Sequence, residues 1–225
     1  MIDVVYEDNQ IIVVLKPQNV PSQADSSGDA DMLTLVKDYI KQKYNKPGNV
    51  FVGLVHRLDR PTGGLMVFAK TSKAAGRLGE AIKANEISKN YLAVIEGKLK
   101  AANGTLKDYL LKNEKTNIVS VVGQAVAGAK YAELNYQTIC EKQNLTLVKV
   151  GLVTGRSHQI RAQFKNYGNV LYNDFKYGSS SKGNLALWAY ELILTHPTTK
   201  QKMTFKVYPP QNGVWKKFEN EISVL

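Results

Sequence analysis

His56-Arg57-Leu58-Asp59-Arg60-Pro61-Thr62-Gly63-Gly64 decides how this chain is read, because it sets one carboxylate between two arginines in a turn. Apolar, strand-like residues precede it (Val50-Phe51-Val52-Gly53-Leu54-Val55) and follow it (Leu65-Met66-Val67-Phe68-Ala69), which predicts a strand–loop–strand unit. Pro61 fixes its own φ, and Gly63 and Gly64 open conformations closed to other residues, so the loop shape is strongly dictated. Asp59 then stands at the mouth of the unit, with guanidinium groups two residues before it and one after. An Asp beside Arg⁺ has its ionised form favoured and is available as a nucleophile or a base. Taken alone, the pattern is more simply read as a surface salt bridge or a turn cap.

Working outward, composition narrows the partners. A chain of 225 residues with 44% hydrophobic content can bury a real core. Lys plus Arg number 30 against 19 Asp plus Glu, a net charge of +11 and a pI near 9.5. That excess points to a polyanion such as nucleic acid. It is concentrated between Lys142 and Lys182, where Asp174 is the single acid and Tyr167, Tyr172 and Tyr177 are interleaved. Such tyrosines can stack on bases or sit half-buried. The one cysteine, Cys140, excludes an intrachain disulfide and reads as a buried small hydrophobe in a strand. No apolar run approaches the roughly 18 residues that span a bilayer. The expectation is a cytoplasmic protein with no membrane contact.

Ile11 to Leu15 reads as a buried strand closed by Lys16-Pro17, and Pro21 to Asp31 as a long polar loop. Asp31 is placed to cap a helix carrying Leu33, Val36 and Ile40, and Ser72 starts a second through Ala75, Leu78 and Ile82. Lys89 to Gly97 is strand-like, followed by a β-rich middle from about Tyr109 to Val153. Ser157 is expected to cap a short helix stopped by Gly168. Its Ile160, Phe164 and Tyr167 would anchor, leaving His158, Arg161 and Lys165 on a face free to meet an anion. No linker divides the chain, so residues 1–225 are expected to form one intermixed α+β domain.

Common cofactor signatures are missing: no nucleotide-binding glycine loop, no Cys/His zinc cluster, no Gly-x-Ser-x-Gly elbow. What remains is an Asp, arginines, tyrosines and a basic face, a cofactor-free site reading a phosphate-bearing polymer.

Four blocks then carry a resemblance. They are Glu7-Asp8 through Lys16-Pro17, His56-Arg57-Leu58-Asp59 with Thr62 and Gly64, Lys89-Asn90-Tyr91, and Thr154-Gly155-Arg156-Ser157-His158-Gln159-Ile160-Arg161. Asp174 with Tyr177-Gly178, and His196-Pro197, fit as well. In this order the sequence resembles the RluA-type family of RNA pseudouridine synthases over nearly its full length. The resemblance implies the pseudouridine synthase fold: a mixed, largely antiparallel central β-sheet flanked by helices and loops, with an active-site cleft across the sheet. It also implies an isomerase that turns uridine in RNA into its C-glycoside isomer, with ribosomal RNA expected ahead of transfer RNA, no cofactor or metal, and no separate N-terminal RNA-binding module of the kind many relatives have. The lack of an exposed apolar heptad or interface stripe predicts a monomer.

By motif position the resemblance makes Asp59 the catalytic carboxylate, Tyr91 the aromatic group against the uracil, and Arg161 the basic partner of Asp59. Arg57 would stand where the flipped nucleotide leaves the stack. His56, Arg60, Thr62, Lys89, Arg156 and His158 complete the substrate-binding candidates, although His56 and His158 also suit loop-bracing roles. A fixed carboxylate can stabilise or trap the positive sugar formed when the N1–C1′ bond breaks. Attack on C1′ and abstraction of a sugar proton both need that same carboxylate. Gly63 stands where relatives usually carry Ser, and Trp188 where a histidine is common. Two competing readings are a non-catalytic RNA-binding or ribosome-assembly protein on the same fold, and a small-substrate nucleosidase lacking its second carboxylate.

Overall fold

The computed structural model describes residues 2–225. In chain order the elements are β1 (Asp3–Glu7), β2 (Ile11–Lys16), α1 (Met32–Lys43), β3 (Gly53–Leu54), β4 (Gly63–Ala69), α2 (Ser72–Lys83), β5 (Ser88–Glu96), β6 (Asn103–Asn113) and β7 (Ile118–Val122). They continue with β8 (Lys130–Lys142), β9 (Leu145–Leu152), α3 (Gln159–Tyr167), β10 (Leu187–Thr195), β11 (Lys202–Lys206) and α4 (Glu219–Ser223). The class is α+β, built on largely antiparallel strands with few helices. Two compact units emerge: the chain up to Ser88 with Ala189–Val207, and Lys89–Trp188 with Tyr208–Leu225.

In the first unit the strand order is β1-β2-β4-β10, with β11 on β10 and β3 on β4. β2 runs antiparallel to β4, setting Leu15 opposite Leu65 and Lys16 opposite Gly64. Ile11 to Val14 are fully buried, as is expected of a continuous apolar run covered on both faces. Leu65 and Val67 of β4 pack with Ala74 and Leu78 of α2 and with Leu192 and Phe205. Asp31 caps α1 by accepting from the Thr34 N–H, and the core face is Met32, Val36 and Ile40 rather than Leu33. The strand expected before the Asp59 loop shrinks to Gly53–Leu54. There the backbone packs so closely that a Cβ on Gly53 would lie 2.9 Å from Ala75 Cβ, while Phe51 is left exposed.

The second unit is the meander β5-β9-β8-β6-β7, every neighbour antiparallel. Its helix α3 lies against this sheet, with Ala162 in a cluster with Leu110, Val119, Ala132 and Tyr177. Ser157 does not cap α3. The cap position is His158, in the left-handed region at φ 49° and without a side-chain capping bond. Gln159 takes over instead: its Oε1 accepts from Arg156 N (3.0 Å) and Thr154 Oγ1 (2.8 Å), and its Nε2 donates to Glu133 O (3.0 Å). Gly168 does end the helix, at φ 100°. Cys140 is half-buried rather than buried, next to a bulge in β8.

Candidate active site

In the first unit, the sequence from His56 to Thr62 forms a loop between β3 and β4 whose backbone is held from outside. Each carbonyl from Leu58 to Pro61 has a donor. Leu58 O accepts from Ser22 Oγ (2.8 Å), and the Ser22 hydroxyl in turn accepts from Leu58 N (3.1 Å). Asp59 O accepts from Thr62 N (2.9 Å), which closes the turn. Arg60 O accepts from Asn19 N (2.8 Å) and Lys16 Nζ (3.0 Å), and Pro61 O from Gln18 Nε2 (3.0 Å). Residues 16–22 are therefore a cradle for the loop, and Asp59 sits on a backbone with little freedom to shift.

Lys16 is the charged member of that cradle and is fully buried. Its Nζ also donates to Pro17 O at 2.9 Å. Burial pulls its pKa from 10.5 down to about 7, the Asp59 charge pushing it back up and the Arg60 charge lowering it further. Lys16 was absent from the sequence-derived site. Its signal was there, a lysine closing a wholly apolar strand, since a lysine seldom occupies such a position without a carbonyl or carboxylate to receive it.

The other candidates of this unit divide by environment. His56 is half-buried, and its Nε2 accepts from Val67 N (3.0 Å), which places the proton of a neutral ring on Nδ1 and ties the loop to β4. Arg57 is exposed on the loop. Arg60 is also exposed, and its guanidinium is engaged by Ser27 Oγ (3.0 Å), Asp25 and Asp29. Thr62 is buried, and its hydroxyl has no partner among the described residues. Gly64 has φ 123°, and a Cβ there would lie 2.3 Å from Ala189 O, so only glycine fits. Gly63, beside it, is buried at the start of β4.

In the second unit Lys89 and Tyr91 lie two apart on β5 and so face the same side. Tyr91 is 6% exposed and pairs in register with Val150. Lys89 is half-buried, its pKa lowered by burial, and its Nζ would lie 3.2 Å from a Cβ on Gly155. The bare Gly155 therefore lets the ammonium approach the turn that leads to α3. Arg156 lies along that turn, its Nε donating to Tyr131 O at 2.8 Å.

Arg161 is buried and held by a fork of two bonds to Asp174, Nε to Oδ2 at 2.8 Å and NH2 to Oδ1 at 2.7 Å. Its guanidinium carbon lies 4.9 Å from the centre of the Tyr177 ring. The Tyr177 hydroxyl accepts from Val119 N (3.0 Å) and meets His158 Nδ1 at 2.8 Å. Lys165 Nζ stands 5.9 Å from the same ring. The helix face expected to be free for an anion is thus wrapped around one buried tyrosine. Tyr177 itself is an internal strut and no base-stacking surface. His158 braces it, and Asp174 organises the turn while also gripping Arg161. Among the described residues no three His, Cys, Asp or Glu side chains converge as a metal ion would require.

Comparison with known proteins agrees with both the fold and the motifs. Residues 10–166 match the model of the family described as RNA pseudouridylate synthase. An uncharacterised RNA pseudouridine synthase of Bacillus subtilis, YjbO, is 30% identical over 94% of this chain and 74% of its own. One from Mycoplasma pneumoniae is 30% identical over 91% of this chain and 66% of its own. The ribosomal large subunit pseudouridine synthase C of Haemophilus ducreyi is 29% identical over 89% and 63%. The chain thus spans a little under two thirds of the length of the last two relatives. The human RNA pseudouridylate synthase domain containing 4 shares the fold, with a TM-score of 0.78 at 20% identity over 93% of this chain and 89% of that one. The human domain containing 1 does so with a TM-score of 0.72 at 18% identity, over 98% and 94%.

Proposed function

The chain belongs to the RNA pseudouridylate synthase family, and on that premise we propose that it isomerises specific uridines of structured RNA, ribosomal RNA in preference to transfer RNA. Residues 1–225 act together as the catalytic domain, as a monomer and in the cytoplasm. Asp59 is the catalytic carboxylate, Tyr91 the aromatic surface for uracil and Arg161 the basic group, with His56, Arg57, Arg60, Thr62, Lys89, Arg156 and His158 on the substrate. The observation that carries this reading is the cradle of residues 16–22, which holds the carbonyls of Leu58, Arg60 and Pro61 on either side of Asp59. Such a loop suits a carboxylate that must meet a short-lived sugar cation without first reorganising.

Extrusion of the target uridine costs a few kcal/mol. The +11 charge of the chain favours the phosphate contacts that offset it. Cleavage of N1–C1′ places positive character on the sugar, which the Asp59 carboxylate stabilises or traps. Uracil turns in place, rejoins C1′ through C5, and loses the C5 proton to a general base. The preference for ribosomal RNA is supported by the name of the Haemophilus relative.

Asp59→Asn keeps the size of the side chain and removes the charge. Purified variant and wild type are compared on ribosomal RNA by chemical labelling of pseudouridine. The variant is expected to form none, and product formed at the wild-type rate refutes the assignment.

A further inference from the structure

Between Pro21 and Asp31 the chain leaves the cradle as a loop closed at its base by Met32 N donating to Pro21 O at 2.9 Å. Its tip is hydrophilic and exposed from Gln23 to Ala30. Asp25 organises the tip, its Oδ1 accepting from Ser27 N (2.9 Å) and Ser27 Oγ (2.6 Å), and Gly28 turns it at φ 73°. Among the described residues, the only polar contacts that residues 25–29 make outside this loop are to one side chain, Arg60. The guanidinium donates to Ser27 Oγ at 3.0 Å and to an Asp29 carboxylate oxygen, and pairs with Asp25 Oδ2 at 3.7 Å. Ser27 hydrogen bonds hold the Asp25 carboxyl below its ordinary range, and the Arg60 hydrogen bond does the same for Asp29. Both are therefore carboxylates at neutral pH.

This arrangement presents Arg60 with the oxygen pattern of a phosphodiester: several anionic or hydroxyl oxygens fanned around a planar fork. It sits one residue from Asp59, where the proposed function brings the RNA backbone. Two carboxylates there repel a phosphate unless they move. Nothing apolar holds the tip in place, and a solvent-exposed ion pair is weak enough to exchange. The Arg60 backbone, in contrast, is fixed by Lys16 and Asn19. The arginine stays while its partner changes.

We propose that the Asp25–Asp29 tip is a built-in phosphate mimic that occupies Arg60 in the RNA-free protein and yields it to a phosphodiester of the substrate. The inference rests on RNA being the substrate and adds how access to the Asp59 loop is restrained. The acidic tip raises the threshold for any polyanion, so only an RNA making enough other contacts displaces it.

The test is a cycle of three variants: D25N/D29N, R60A, and the triple combination. Asn keeps the acceptor that Ser27 N needs, so the tip retains its turn. Binding of a fluorescein-labelled uridine-rich stem–loop RNA is followed by anisotropy across a salt series, alongside pseudouridine formation in ribosomal RNA. D25N/D29N is expected to bind about tenfold more tightly at low salt with a steeper salt dependence, as befits an arginine freed for a phosphate. Adding R60A is expected to remove that gain, while R60A alone costs much less. A gain that survives R60A, or no gain in D25N/D29N, overturns the proposal while wild-type pseudouridine formation leaves the enzymatic reading standing. Loss of both RNA binding and product in the wild type overturns the two together.

Discussion

Replacing Lys16 by Met tests the cradle through its most costly member. Lys16 is fully buried with its pKa at about 7 against an ordinary 10.5. At about 1.36 kcal/mol per pH unit, that gap puts the cost of the buried ammonium at about 5 kcal/mol when it is fully protonated. Below pH 7 the group is charged in folded and unfolded chains alike, and the whole cost weighs on the folded state. Between pH 7 and 10.5 the unfolded chain holds a proton that the folded one has released. Wild-type stability therefore rises through that window and levels off above it, gaining about 3 kcal/mol from this group between pH 7 and 9.5. Lys16→Met has no such slope. It leaves Pro17 O without this donor and Arg60 O with only Asn19 N, an opposing cost of about 1–3 kcal/mol. The variant should thus match or exceed the wild type at pH 6.5 and fall behind it by pH 9.5. Urea unfolding of both proteins at several pH values reads the difference directly. Parallel stability curves would show that Lys16 is not the titrating buried amine described. Pseudouridine formation separates fold from function: at pH 7 the Met variant should stay folded but turn over more slowly, because its Asp59 loop has lost a clamp.

Gly64→Ala drives a Cβ to within 2.3 Å of Ala189 O at φ 123°, and strain plus overpacking should remove about 3 kcal/mol or more of stability in thermal melts. Gly76→Ala, in α2 with nothing within 4 Å of its new Cβ, should instead add about 1 kcal/mol, so opposite signs are expected from one chemical change. Glu7, buried against Lys43 and Lys70, has its carboxyl at about 2 instead of 4.5: burial acts to raise it, but the hydrogen bonds from Lys43, Lys70 and Tyr44 win. Its contribution is complete above pH 4.5 and disappears as pH falls toward 2. Wild type should therefore lose about 3 kcal/mol on that limb that Glu7→Gln does not lose, as read by acid unfolding.

The elements written locally in the sequence were legible. Asp31 before α1, Gly168 after α3 and the Ile11–Val14 run announce themselves through caps and continuous apolarity. The errors occurred where a distant residue decides. Ser157 looks like a helix cap, but Gln159 reaches back to Thr154 and Glu133, and His158 takes the strained backbone position. Helical spacing put His158, Arg161 and Lys165 on one face correctly. It could not reveal that Tyr177, ten or more positions on, fills that face. In the candidate site, the motif residues around Asp59 could be named, while Ser22, Gln18 and Asn19 could not. Their roles come from donors aimed at backbone carbonyls about forty positions away, and carbonyls leave no mark on a sequence.

The first unit is made of two pieces of chain, and strand β4 is bordered on one side by a strand that begins only near Leu187. On a ribosome, the hundred residues of Lys89–Trp188 take roughly 5 to 20 seconds to emerge. Throughout that interval the edge of β4 that β10 will cover has only the two-residue β3 to pair with. The nascent chain up to Ser88 should therefore engage holding chaperones until β10 has been translated. A premature stop anywhere before Ala189 would yield an insoluble fragment, even though every residue of the Asp59 loop had been made.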